Sequence, residues 1–119
     1  MNSKEIVEKL LVDSPELEEG FLTRLSPEQF ALVCLRLGEA EGLTSERFNK
    51  IMDSCYGSPF MDKIFGLYKD PNSNYCKLSK EYDKVYAIAI NENAATGKAI
   101  EANLMDKWFN EQDAKYFKE

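Results

Sequence analysis

The chain has 119 residues, of which 44% are hydrophobic and 30% charged, a composition typical of a globular domain. We therefore expect a single domain that covers residues 1–119. The formal net charge is −6, and the acidic excess lies in residues 1–60, which hold 11 acids and 6 bases. Because no basic cluster is present, the sequence argues against direct binding of nucleic acid or of an anionic membrane surface.

Histidine is absent, and the three cysteines form no CxxC pair. Without histidine, the Ser-His-Asp and Cys-His nucleophile pairs and the common zinc sites are excluded. We therefore expect a protein that is not an enzyme and that needs no cofactor. An odd number of cysteines argues against a disulfide framework and favours a reducing compartment. The longest apolar run, VYAIAI at residues 85–90, is far too short to span a bilayer, so we expect a cytoplasmic protein.

The first predicted element is a short N-terminal helix with Ile6, Leu10 and Leu11 on one face. Three Ser-Pro pairs then mark helix starts, because serine is a favoured N-cap and proline suits the first helical position. These pairs are Ser14-Pro15, Ser26-Pro27 and Ser58-Pro59. The second pair continues as a capping box, in which Gln29 reaches back to the cap.

Other helices are predicted to begin at Thr44 and at Ser79, and a last helix to run roughly from Gly97 to Asn110. Residues 85–90 alone are also compatible with a buried strand, but a single strand would have no partner, so we predict a helix. The chain thus reads as all-α, a compact bundle of five to seven short helices. In each predicted helix, apolar residues recur with a spacing of three or four and form one face that we expect to be buried. The predicted core residues on these faces are Phe30, Val33, Leu37, Phe48, Ile51, Ile64, Val85, Ile100, Leu104 and Trp108.

One stretch has the spacing of a calcium-binding EF-hand loop. Asp70, Asn72, Asn74 and Glu81 occupy the first, third, fifth and twelfth places of a twelve-residue window. The sixth place, which requires glycine, is Tyr75, so we interpret the stretch as a turn followed by a helix. A degenerate EF-hand-like calcium module is the alternative hypothesis for function.

The leading hypothesis follows from the acidic surface. A small acidic helical domain without catalytic motifs is expected to act by binding a macromolecular partner with a basic face, such as a nucleic-acid-binding protein, and to inhibit or regulate it. In size and charge alone it is comparable to toxin-immunity proteins and to phage-encoded inhibitors of host nucleases. The predicted contact residues are Asp13, Glu16, Glu18, Glu19, Glu39 and Glu41.

Overall fold

The computed structural model describes residues 1–12, 20–40, 42–53, 55–96 and 101–117, with the backbone alone for residues 92–96 and 101–103. In this part of the chain we find six α-helices, one short 3-10 helix (Leu22–Arg24) and no strand. The α-helices are α1 (Ser3–Leu11), α2 (Pro27–Glu39), α3 (Ser45–Asp53), α4 (Pro59–Lys69), α5 (Asn74–Thr96) and α6 (Glu101–Tyr116). The prediction of an all-α bundle of five to seven helices is confirmed. None of these helices is long and apolar enough to cross a bilayer.

Two of the Ser-Pro pairs begin helices as predicted. The Ser26 hydroxyl accepts a hydrogen bond from the Gln29 backbone N–H at 3.2 Å, and the Gln29 side chain accepts one from the Ser26 N–H at 3.0 Å. Ser58 likewise caps α4 by accepting from the Met61 N–H at 3.2 Å. The third pair, Ser14-Pro15, lies outside the described residues.

The start of α5 differs from the prediction. The helix begins at Asn74, and the N-cap is Ser73, whose hydroxyl accepts from the Cys76 N–H at 3.1 Å. Ser79 therefore lies inside α5, because the helix has already been nucleated by the earlier cap. Residues 85–90 are helical, as predicted, and belong to the same long helix. The last helix continues past the predicted end at Asn110 and reaches Tyr116.

Helix α2 lies at the centre of the bundle and contributes to two hydrophobic clusters. One face carries Phe30, Val33 and Leu37, which pack with buried residues of α1, α3 and α4. Another face carries Ala31 and Leu32, which pack with α5 and α6. Contacts of α2 with α1, α5 and α6 follow from this two-sided burial.

The predicted core is confirmed at six positions, which are buried in the two clusters: Phe30, Val33, Leu37, Ile51, Ile64 and Trp108. Phe48, Val85 and Leu104 are only partly buried. In α6 the neighbouring Met105 is turned into the core instead, with 3% of its surface exposed. Adjacent apolar residues differ by about 100° around a helix, and packing decides which one is covered. Ile100 is outside the described residues.

A buried polar network ties α1 and α6 to α2. The Arg36 Nε donates to the Ser3 Oγ at 2.6 Å, and its Nη2 donates to the Asp113 Oδ2 at 3.3 Å. The other Asp113 oxygen accepts from the Ser3 backbone N–H at 3.3 Å. The guanidinium also lies over the Phe109 ring, 4.4 Å from its centroid. Because each buried charge has a partner, the network can hold the three helices in a defined arrangement.

Candidate functional site

Most of the predicted contact residues cannot be placed. Five of them lie outside the described part of the chain: Asp13, Glu16, Glu18, Glu19 and Glu41. Glu39 is described, and it is the exposed last residue of α2. A negative charge at this end of a helix is opposed by the helix dipole. Its location therefore needs another explanation than helix stability.

Glu39 is held in place by a residue of another helix. The Tyr82 hydroxyl, on α5, donates a hydrogen bond to the Glu39 Oε1 at 2.6 Å. Burial raises the pKa of the Tyr82 phenol, and the Glu39 carboxylate raises it further by accepting this bond and by its charge. The phenol, protonated at neutral pH, donates this hydrogen bond and orients the carboxylate at the surface.

The tyrosine continues into an exposed row on α5. The Tyr86 ring stacks on the Tyr82 ring with centroids 6.1 Å apart and an interplanar angle of 18°. Tyr86 is 40% exposed, and Ile90 is 37% exposed. Tyr82, Tyr86 and Ile90 are spaced by four residues, which places them along one side of the helix. Asp83 is exposed on the same side. We call Glu39, Tyr82, Asp83, Tyr86 and Ile90 the tyrosine ridge.

The ridge rests on the aromatic part of the core. The Tyr82 ring contacts the rings of Trp108 and Phe109, with centroid distances of 5.9 and 6.0 Å. Trp108 in turn donates from its Nε1 to the Glu81 Oε1 at 2.8 Å. Close-packed aromatic neighbours restrict Tyr82, so its ring and the Glu39 carboxylate that it bonds have defined positions.

On its other side Glu39 borders a shallow groove of about 270 Å³, which we call the Glu39 groove. It lies between α1, the end of α2 and α6, and it is lined by Lys4, Val7, Glu8, Leu11, Arg36, Glu39, Ala40 and Asp106. Three carboxylates line this groove, those of Glu8, Glu39 and Asp106. The basic side chains in its lining are Lys4 and Arg36, and the Arg36 guanidinium is paired with the Asp113 carboxylate at 3.3 Å. The balance of charge along the groove is therefore acidic, over apolar side chains of α1 and α2.

The EF-hand window does not fold as a calcium loop. Asp70 and Asn72 lie in the turn after α4, where the Asp70 side chain accepts from the Asn72 backbone N–H at 2.9 Å. Asn74 already begins α5, and Glu81 lies two turns further along that helix. The last eight places of the window are thus helical, and the four residues with EF-hand spacing do not share a loop. Among the described residues, no group of three or more histidine, cysteine or acidic side chains could hold a metal ion.

Glu39 was predicted from the sequence as a contact residue, whereas the tyrosine ridge and the Glu39 groove were not predicted. Tyr82 and Glu39 are 43 residues apart, so no local pattern links them. The only signal in the sequence was the unbroken apolar run VYAIAI at residues 85–90. A helix that is apolar on several sides is normally buried, but in the structure Tyr86, Ile88 and Ile90 are exposed.

The site offers one carboxylate that is oriented by a hydrogen bond, a partly exposed stacked phenol ring and an apolar edge. Such groups bind a cationic partner through charge-assisted hydrogen bonds and ring contacts. In comparisons with known proteins, no family model matches the sequence, and neither a curated protein nor a solved structure gives a significant match.

Proposed function

We propose that this chain is a non-catalytic interaction protein that binds a macromolecular partner, a protein with a basic face, and inhibits or regulates it. The observation that supports this best is the position of Glu39. Its carboxylate is oriented by Tyr82 at the surface, and Glu39 belongs both to the tyrosine ridge and to the lining of the acidic Glu39 groove. An acidic residue at a helix C-terminus does not favour the helix, which is consistent with a role in contacts to another molecule.

Charge would act mainly on the encounter. The net charge of −6 and the carboxylates around Glu39 attract a basic surface over distances of about a Debye length, roughly 8 Å at physiological salt. Steering of this kind raises the association rate and weakens as salt increases.

Affinity would come from the apolar part of the surface. Tyrosine is enriched among residues that dominate binding energy, since its ring gives a large contact area with little loss of conformational freedom. Tyr86 and Ile90 provide such area beside the carboxylates, and the packed Tyr82 ring supports them. A basic partner with an apolar residue next to its charges would fit both parts of the surface.

The first test is to capture the partner from the native cell with the intact protein and to identify it by mass spectrometry. Association kinetics with the purified partner are then measured by surface plasmon resonance at low and at physiological salt. We expect Glu39→Lys to slow association several-fold at low salt, with a smaller difference at higher salt. The matched control is Asp62→Lys, which reverses an exposed acidic charge on α4, outside the ridge and the groove.

Equal association rates for wild type and Glu39→Lys would refute the proposed surface. The same conclusion would follow if the Asp62→Lys control slowed association as much, because the effect would then be one of net charge alone. The calcium-binding alternative is supported by no specific observation, since the window from Asp70 to Glu81 is mostly helix.

A further inference from the structure

We propose that the tyrosine ridge binds an arginine-bearing segment of the partner, with a guanidinium stacked on the Tyr86 ring and with Glu39 and Asp83 as counter-charges. This inference rests on the proposed function and specifies the chemistry of the partner. Three features of the ridge support it: the accessible ring, the carboxylates beside it, and the match of ring and carboxylates to a planar cation.

The first feature is the accessible ring. The Tyr86 ring packs against Tyr82 nearly in parallel, yet 40% of the residue is exposed. A stacked aromatic ring with exposed surface is a platform for a planar cation. Ile90, one turn further along α5, adds an exposed apolar surface for the methylene groups of a long basic side chain.

The second feature is the charge beside that ring. The ridge carries two carboxylates, Glu39 and Asp83, and the basic side chains nearest to Asp83 along α5 are the exposed Lys80 and Lys84. A carboxylate can accept about four hydrogen bonds. The Tyr82 hydroxyl uses one position on Glu39, at its Oε1. The remaining positions can accept N–H groups from a cation.

The third feature favours arginine over lysine. Guanidinium is planar, stacks on rings and donates two parallel hydrogen bonds to a carboxylate, whereas an ammonium is a compact and strongly hydrated charge. The chain already contains this combination in its core. There Arg36 lies 4.4 Å from the Phe109 ring centroid and donates to Asp113. The ridge presents the ring and the carboxylates of such a set at the surface, and the partner would supply the arginine.

The test uses the intact chain and two synthetic probes, hexa-arginine amide and hexa-lysine amide, in isothermal titration calorimetry. Both peptides have the same side-chain charge, so a difference between them reports stacking and hydrogen-bond geometry. We expect the arginine peptide to bind about two- to fivefold more tightly, because a cation–ring contact at an exposed site contributes about that factor and the strongly hydrated ammonium gains little of it. Tyr86→Leu should lower the ratio, because leucine retains apolar surface and helix propensity but has no ring, whereas the hydrogen bonds to the carboxylates remain.

The matched control is Tyr68→Leu, the same change at an exposed tyrosine of α4 that is not part of the ridge. It should leave the arginine preference unchanged, and circular dichroism should show the same helix content for both variants. The inference is overturned if the wild type binds the two peptides equally or binds neither. It is also overturned if the preference is undiminished in Tyr86→Leu or disappears in Tyr68→Leu.

These outcomes are separate from the test of the proposed function. Equal binding of the two peptides, together with slower partner association in Glu39→Lys, would leave a charge-steered interaction protein without arginine selectivity. An unchanged association rate in Glu39→Lys would instead refute the proposed interaction surface itself.

Discussion

Replacing Asp113 by alanine should destabilise the protein strongly, because it leaves the buried Arg36 guanidinium without its counter-charge. The two side chains are only 7% and 9% exposed. Removing one partner of a buried ion pair costs about 3–5 kcal/mol. Arg36 would keep its bond to the Ser3 hydroxyl and a 3.9 Å contact with Asp106, which is 67% exposed. Because these contacts remain, we expect the free energy of unfolding to fall by about 3 kcal/mol, the lower end of that range.

The matched control is Asp106→Ala. It removes the other carboxylate near Arg36, but this carboxylate is largely in water, where an ion pair contributes about 0–1 kcal/mol. A double variant, Arg36→Met with Asp113→Leu, removes both charges and retains much of the apolar volume. It should be less destabilised than Asp113→Ala alone, since no buried charge is left unpaired.

The assay is equilibrium unfolding in urea, followed by the fluorescence of Trp108, the only tryptophan in the chain. A lower midpoint with an unchanged slope would show a loss of stability rather than a change in the exposed surface. The reasoning is refuted if Asp113→Ala costs no more than Asp106→Ala. It is equally refuted if the double variant is the least stable of the three, because the network would then act through packing rather than through charge.

Two further predictions concern the start of α5 and the response to alkaline pH. Ser73→Ala should lower the free energy of unfolding by about 0.5–2 kcal/mol, because it removes the N-cap of α5. Ser79→Ala, inside the helix, should lower it by less. Equal losses in urea unfolding would contradict the assignment of the cap. Burial raises the pKa of the Cys34 thiol from its ordinary value of 9.0 to about 12, and burial likewise raises the pKa of the Tyr75 phenol from 10.0 to about 12. Because the unfolded chain releases these protons first, their contribution to stability should be complete below about pH 9 and be lost between about pH 9 and 12. Urea unfolding at stepped pH values checks this, and a Cys34→Ala variant with the same loss as wild type between pH 9 and 10 would contradict the contribution of the thiol.

The sequence by itself determined the features that depend on neighbours along the chain. The all-α class and the starts of α2 and α4 follow from serine caps and proline at the first helical position, interactions that reach only three or four residues. The helical spacing of Phe30, Val33 and Leu37 likewise identified the buried face of α2. These signals are local, so they are readable without knowing how the helices pack.

Only the tertiary structure decided between local signals of equal strength. Ser73 and Ser79 are both suitable caps, and α5 begins at the first of them. In α6 the packing against α2 and α5 covers Met105 more than Leu104, although both are apolar.

The candidate site, too, was decided only by the tertiary structure. Glu39 and Tyr82 meet because α5 packs against α2, and a contact between residues 43 apart depends on the energy of the whole core. Exposure of Tyr86 and Ile90 is also decided there, since a helix shows no intrinsic inside until its neighbours cover one side of it.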